Sequence, residues 1–179
     1  MSLIRGGHTG AKYGEFMLES VLMVCIGNIC RSPMAEGLLK SRTAELGQDL
    51  RVESAGLMAV VGHPADPLAV ELMGKRGIDI TAHRARQLTL GILRGFDVVM
   101  VMEHQHRQTI ERSMPIARGR VFTLGHWNNV EIADPMGKSR EYFQQTHALI
   151  EQGVDSWMHY FHKLGPPAGK AGRNVKSVH

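Results

Sequence analysis

Residues Val24 to Pro33 read Val-Cys-Ile-Gly-Asn-Ile-Cys-Arg-Ser-Pro, and they join a strand-like run, residues 20–24, to a helical pattern that begins near Pro33. A loop between a buried strand and a helix N-terminus gathers backbone N–H groups around one point, where the helix dipole favours negative charge. A thiol, Cys25, opens this loop and a guanidinium, Arg31, closes it. The sequence therefore predicts a strand–loop–helix unit that binds a phosphate-like dianion beside a nucleophile.

The two ends of the loop supply the reactive groups. A helix N-terminus and a nearby arginine both favour the thiolate form of a cysteine, so Cys25 is predicted to attack as a thiolate. The planar guanidinium of Arg31 can hold two phosphoryl oxygens, which the point charge of a lysine cannot do. Ser32 can donate a hydrogen bond to the Cys25 sulfur and stabilise it as nucleophile and as leaving group.

The residues inside the loop are predicted to shape it or to bind the phosphate. Gly27 is expected to adopt a backbone conformation that a Cβ would resist, which would turn successive N–H groups inward. Asn28 tolerates a left-handed conformation and can tie the loop with its side-chain amide. Pro33 fits the first helical turn, where its missing N–H is not needed. The predicted phosphate-binding residues are Ile26, Gly27, Asn28, Ile29, Cys30 and Ser32.

The run from Val24 to Glu36 resembles the active-site signature of the low-molecular-weight protein tyrosine phosphatases. The resemblance covers about residues 20–163 and implies a cysteine-dependent enzyme that hydrolyses phosphotyrosine in proteins. Further matches follow in chain order: Glu53-Ser-Ala-Gly56, Ala82-His-Arg-Ala-Arg-Gln87, Phe96-Asp-Val-Val-Met-Val-Met-Glu103 and Ala133-Asp-Pro135.

Two later segments narrow the resemblance to a bacterial group. Gly125-His-Trp-Asn-Asn129 and Lys138-Ser-Arg-Glu141 are similar to segments of the members that accompany tyrosine autokinases in capsule and exopolysaccharide production. The resemblance therefore implies that the partner is a phosphotyrosine protein, and that a membrane tyrosine autokinase could be this partner. A monomer is expected.

Cleavage of a phosphate ester also needs a proton for the leaving oxygen, and two Asp-Pro pairs could supply it. Asp66 and Pro67 open an amphipathic pattern, so they are better explained as the N-cap and first residue of a helix. Asp134 lies in an irregular segment that Pro135 would stiffen. The resemblance also assigns the acid to this second pair. Asp134 is therefore predicted as the general acid of a reaction that passes through a phosphocysteine intermediate.

The resemblance assigns further roles that the sequence alone does not single out. Ser54 and His83 match family positions whose hydrogen bonds brace the loop. Ile26 and Ile29 are expected to form apolar walls for an aromatic ring, and Ile29 stands where related arginine phosphatases carry threonine, which favours phosphotyrosine. Met136 follows Asp-Pro where an aromatic residue is common, and it is expected to contact the substrate ring.

Apolar and helical patterns alternate along the chain, which predicts an α/β fold. The expected architecture is a single three-layer domain, with a four-stranded parallel sheet flanked by helices on both faces and the phosphate loop after the first strand. Strand-like runs lie at residues 21–24, 50–54, 96–102 and 120–124, and helical patterns lie at residues 34–46, 66–76, 103–113 and 140–164.

Composition limits the domain count and the kinds of partner. The chain has 179 residues, 43% of them hydrophobic and 21% charged, as in an ordinary globular protein. Residues 1–18 are expected to be a flexible extension, residues 19–164 the phosphatase domain and residues 165–179 a flexible basic tail. That tail carries +3 of the formal net charge of +4, which leaves the rest of the chain nearly neutral, so no nucleic-acid binding is predicted.

Other features exclude further classes of protein. No apolar stretch approaches the roughly 18 residues that span a bilayer, and no secretory signal is evident, so a cytoplasmic protein without membrane insertion is expected. Cys25 and Cys30 share one loop, which excludes a disulfide scaffold; Cys30 is either the partner of a reversible bridge or a buried thiol. His104 and His106 have a spacing that does not place both on one face of a helix, so no metal and no cofactor is predicted.

Two alternative functions follow from the same loop. Arsenate reductases that share it relay a disulfide through additional downstream cysteines, and this chain has none after Cys30. A catalytically silent phosphopeptide-binding or redox-sensing module is the other alternative. A module that only binds has no need of an acid, so the combination of Cys25, Arg31 and Asp134 favours the enzyme.

Overall fold

A computed structural model of the protein describes residues 18–163. The expected extension at residues 1–18, apart from its last residue, and the expected tail at residues 165–179 lie outside the described residues. None of the helices within residues 18–163 is long and apolar enough to cross a lipid bilayer.

Four parallel strands form one sheet, as predicted, and their order is β2-β1-β3-β4. Strand β1 lies inside the sheet, between β2 and β3, and every one of its residues is buried. A parallel strand that is covered on both faces is buried along its length, which explains the unbroken apolar run from Val21 to Val24. The strands are β1 (Ser20–Cys25), β2 (Arg51–Gly56), β3 (Val98–Val101) and β4 (Val121–Thr123).

Helices cover both faces of the sheet, so the predicted three layers are present. Val21 and Met23 of β1 pack on one side in a core that includes residues of α1, α2 and α5. Leu22 and Val24 pack on the other side with residues of α3 and α4. The helices are α1 (Arg31–Glu45), α2 (Pro67–Gly74), α3 (Leu90–Arg94), α4 (His104–Ser113) and α5 (Arg140–Lys163).

Helix boundaries follow local chemistry. Asp66 caps α2 by accepting a hydrogen bond from the Leu68 N–H at 2.8 Å, and Pro67 is the first helical residue, as predicted. Helix α1 begins at Arg31, earlier than its pattern indicated, because Pro33 is tolerated within the first turn. The sequence did not predict α3, because a helix of five residues is too short to show a helical period.

Candidate active site

The predicted nucleophile and the predicted arginine lie at the two ends of the loop. Cys25 ends β1 and Arg31 begins α1, so the loop lies at the carboxyl edge of the sheet. The Ser32 hydroxyl lies 3.0 Å from the Cys25 sulfur and accepts a hydrogen bond from the Asn28 amide at 2.8 Å. A thiolate sulfur has no proton and can only accept, so the Ser32 hydroxyl donates to Cys25 when that residue is ionised.

The carbonyl groups of the loop are bonded to the surrounding protein. All six carbonyl oxygens of residues 25–30 accept a hydrogen bond from a donor outside the loop, at 2.6 to 3.3 Å. These bonds fix the orientation of every peptide unit in the loop. The donors are, in loop order, the amides of Leu57, Met58 and Val60, the ring of His83, and the amides of Asp66 and Met34.

The amide groups of the loop have no acceptor in the part of the chain that the structure describes. Within residues 18–163, no protein acceptor bonds to the backbone N–H groups of residues 26–31. Buried N–H groups are rarely left without a partner. Consecutive amides of this kind, at the start of a helix, bind an anion with several oxygens.

Asn28 braces the loop from within. It is fully buried and has a φ of 57°, so it adopts the left-handed conformation that the sequence predicted. Its side-chain amide donates to Ser32 at 2.8 Å and to the Ser54 hydroxyl at 2.9 Å. Its side-chain oxygen accepts from the Arg86 N–H at 2.9 Å. The structure thus brings Ser54 and His83, the two predicted supporting residues, into contact with Asn28.

The expectation for Gly27 was wrong. Gly27 does not have a positive φ, and a Cβ there would meet Ile29 and Val60 at 3.6 Å, which is ordinary van der Waals contact. The left-handed turn of the loop lies at Asn28 instead. The glycine that the loop needs is Gly56 at the end of β2, because a Cβ there would lie 2.4 Å from the Ile26 carbonyl oxygen.

Arg31 is held by groups from distant parts of the chain. Its side chain is 1% exposed, and Nη1 donates to the Glu103 carboxylate at 2.5 Å and to the Ile132 carbonyl at 2.9 Å. Nη2 donates to the Asp134 carboxylate at 2.5 Å. A buried guanidinium needs such partners, because an unpaired buried charge is costly. From the sequence, Glu103 was predicted only as the last residue of a family match, with no role of its own. The signal that could have singled it out is its place directly after the apolar run that contains β3.

Asp134, the predicted acid, therefore lies at the mouth of the loop. Its side chain is 44% exposed, while that of Arg31 beneath it is buried. Its second oxygen accepts a hydrogen bond from the Met136 N–H at 3.1 Å, which closes a tight turn around Pro135. Met136 itself is half exposed, and its contact with a substrate ring stays a prediction.

Cys30 faces the core beside the loop. Both cysteines are free and buried. Burial raises the pKa of the Cys30 thiol well above its usual range, and the negative charges of Asp66, Cys25 and Asp134 act in the same direction. The neutral thiol form is therefore strongly favoured at Cys30. A bridge between the two cysteines stays a prediction.

An apolar rim that the sequence did not single out borders the loop. Met58, Val60 and Val61 follow β2 and are 75%, 39% and 65% exposed. The Met58 and Val60 amides bond to loop carbonyls at 3.0 Å, which anchors the rim to the loop. Ile26, one of the predicted walls, is partly exposed beside it. Exposed apolar side chains at the mouth of a polar site suit an aromatic group.

Comparison with known proteins agrees with this site. The family model described as low molecular weight phosphotyrosine protein phosphatase matches residues 20–165. The probable low molecular weight protein-tyrosine-phosphatase EpsP of Ralstonia nicotianae is 43% identical over 149 residues, which are 83% of this chain and 100% of EpsP.

Two solved structures extend the comparison. The crystal structure of the Erwinia amylovora tyrosine phosphatase AmsI is 41% identical, with a TM-score of 0.74 over 80% of this chain and 93% of AmsI. The tyrosine phosphatase Wzb of Escherichia coli K30, in complex with sulphate, is 39% identical, with a TM-score of 0.75 over 83% of this chain and 100% of Wzb. Sequence, fold and site agree, and the chain belongs to the low molecular weight phosphotyrosine protein phosphatase family.

Proposed function

We propose that this protein hydrolyses phosphotyrosine in proteins through a phosphocysteine intermediate, with Cys25 as nucleophile, Arg31 and the loop amides as the phosphate site, and Asp134 as acid. One observation carries the proposal: the N–H groups of residues 26–31 have no acceptor within residues 18–163, while a thiol and a guanidinium bracket them. This combination fits a tetrahedral dianion that is attacked by sulfur.

Substrate binding would exchange one partner of Arg31 for another. Glu103 and the Ile132 carbonyl hold Nη1, so the orientation of the guanidinium plane is fixed before substrate arrives. Asp134 bonds to Nη2 and is the more exposed of the two carboxylates. A phosphate oxygen competes with Asp134 for Nη2, because both are anionic acceptors. Binding then frees the Asp134 carboxyl to face the leaving oxygen.

Two chemical steps follow. The Cys25 thiolate attacks phosphorus in line, a sulfur–phosphorus bond forms, and the bond to the phenol oxygen breaks while Asp134 protonates that oxygen. Water then attacks phosphorus, Asp134 takes a proton from the water, and the sulfur leaves as thiolate. The Ser32 hydroxyl, 3.0 Å from the sulfur, stabilises the thiolate at both stages. Inorganic phosphate is the product.

The surroundings of the loop support an aromatic substrate. The rim formed by Met58, Val60 and Val61 is apolar and exposed, and Ile26 lies beside it. A flat phenyl ring buries such surface well, whereas a charged phosphoarginine side chain gains less from it. Ile29 also favours phosphotyrosine, because the related arginine phosphatases that the sequence resembles carry threonine at this position.

The relatives suggest the physiological partner. EpsP, Wzb and AmsI are among the named proteins to which this chain is similar, and its segment 125–129 resembles the group that accompanies tyrosine autokinases. We therefore propose that the substrate is the phosphotyrosine segment of a membrane tyrosine autokinase in exopolysaccharide production. The protein would act on it from the cytoplasm as a monomer, since one chain supplies every group named above.

Release of inorganic phosphate from a phosphotyrosine peptide, under reducing conditions, tests the reaction. Cys25→Ser is the matched control, because it keeps the loop and removes the nucleophile. A phosphoarginine peptide of the same sequence tests the substrate class. Release by the wild-type protein alone, and from phosphotyrosine only, is expected. Equal release by Cys25→Ser would refute the mechanism, and preference for phosphoarginine would refute the substrate class.

A further inference from the structure

We infer that His106 is a positioning residue of the phosphate site: its buried ring contacts the Glu103 carboxylate through Nε2, and Glu103 in turn orients Arg31. This inference rests on the proposed function, since it assigns a role in the same site. Neither the reaction scheme above nor the sequence patterns use His106.

The geometry places His106 directly behind the arginine. It lies in the first turn of α4, is 4% exposed, and has Nε2 at 3.5 Å from Oε1 of Glu103. The same oxygen accepts the 2.5 Å hydrogen bond from Arg31 Nη1. His104, two residues earlier on the helix, is exposed, whereas His106 is buried against Glu103. Glu103 is thus held between a buried imidazole and a buried guanidinium.

The charges around the ring favour its neutral form. Arg31 approaches from α1, Glu103 from the start of α4, and Asp134 and Glu131 from the segment that follows β4. Burial lowers the pKa of His106, and the charge of Arg31 lowers it further, while the three carboxylates act in the opposite direction. A neutral ring is a donor at one nitrogen only.

The surroundings also decide which nitrogen carries the proton. Nδ1 is buried and has no hydrogen-bond partner within the described residues. A proton on Nδ1 would leave a buried N–H unpaired and would direct the bare Nε2 lone pair at a carboxylate oxygen. A proton on Nε2 faces that carboxylate oxygen at 3.5 Å, a contact longer than an ordinary hydrogen bond but electrostatically favourable, so this tautomer is favoured.

The contact between His106 and Glu103 is expected to affect how tightly Arg31 binds phosphate. Glu103 is 28% exposed, so its carboxylate has room to turn towards solvent unless a second group holds it. With Glu103 fixed on Nη1, the Nη2 edge of the guanidinium is presented to the loop. Without the donor from His106, Glu103 is held by Arg31 alone, and the guanidinium becomes less ordered. The expected loss is therefore in phosphate affinity and KM more than in kcat.

Two substitutions separate positioning from packing. His106→Leu fills the space but has no donor, whereas His106→Gln places an amide N–H near the position of Nε2. Loss of such a polar contact with a carboxylate is worth up to about fivefold in affinity. We expect His106→Leu to weaken inorganic phosphate binding, measured by titration calorimetry, about fivefold and to raise KM for a phosphotyrosine peptide similarly. His106→Gln is expected to stay within about twofold of the wild type. His104→Leu, on the same helix, is the matched control and is expected to change neither value.

The outcomes that would overturn the inference are distinct from failure of the proposed function. Unchanged phosphate affinity in His106→Leu contradicts it. Equal losses in the Leu and Gln variants, with equally lowered urea midpoints, indicate a packing role and also contradict it. Calorimetry does not need turnover, so a wild-type protein that binds phosphate but releases none from phosphopeptides refutes the proposed function, while the affinities of the variants still decide the role of His106.

Discussion

Substitution of Asn28 tests the bracing of the phosphate loop most directly, because this one side chain joins three other parts of the protein. Asn28→Ala removes the hydrogen bonds to Ser32, Ser54 and the Arg86 N–H, which are 2.8 to 2.9 Å long and lie in or beside the buried interior. Each contributes about 1 kcal/mol to the free energy of unfolding, which gives about 3 kcal/mol in total.

The backbone adds a further contribution. At a φ of 57° an alanine is strained by about 1 kcal/mol or more, whereas asparagine visits this region more readily. The expected total loss is about 4 kcal/mol, which is a large fraction of a typical unfolding free energy of about 5–15 kcal/mol. Equilibrium unfolding in urea, with an unchanged dependence on urea concentration, measures it.

Asn28→Gly is the matched variant that separates the two contributions. Glycine adopts a positive φ without strain, so it is expected to lose only the hydrogen-bond part, about 3 kcal/mol. A loss below about 1 kcal/mol in Asn28→Ala would refute the reasoning, because the bracing bonds would then contribute little. Equal losses in the two variants would show that the left-handed backbone carries no cost for alanine. Both variants are also expected to bind inorganic phosphate more weakly.

Three further predictions follow from the site and from the surface. Gly56→Ala places a Cβ 2.4 Å from the Ile26 carbonyl oxygen and is expected to weaken inhibition by inorganic phosphate, measured in a kinetic assay, at least tenfold. Gly74→Ala is the control, because no atom lies within 4 Å of its Cβ, and it should match the wild type in that assay. Asp134→Asn is expected to slow hydrolysis of phosphotyrosine about 10²–10⁴-fold, and that of an aryl phosphate with a highly acidic phenol much less; equal slowing of both contradicts an acid role. Arg140 and Lys75 hold the pKa of Glu71 at about 2. The Glu71 carboxylate therefore stabilises the fold at pH values above its unfolded pKa near 4.5, and this contribution is lost as pH falls towards 2. The urea midpoint of Glu71→Gln should fall less between pH 5 and pH 3 than that of the wild type.

Much of the fold was predictable because its signals are local. The apolar run of β1, the loop from Cys25 to Arg31 and the Asp66 cap of α2 each lie within a few consecutive residues. Alternating apolar and helical patterns then predict a parallel sheet, because parallel strands need crossover connections. Helix α3 escaped prediction because five residues are too few for a period. The conformation of Gly27 was mispredicted because residue type alone does not say which loop residue takes the positive φ; Asn28 takes it.

The sequence by itself determined the nucleophile, the arginine and the loop between them, because seven consecutive residues carry all three. Only the tertiary structure decided what holds and surrounds them. Glu103 lies 72 residues from Arg31, and Asp134 lies 103 residues from it. No local period encodes such pairs, and from sequence Asp134 was preferred to Asp66 partly through a family resemblance. Parallel topology brings the ends of β1 and β3 and the segment after β4 to one edge of the sheet. There the desolvated charge of Arg31 requires both carboxylates, and this requirement exists only once the chain is folded.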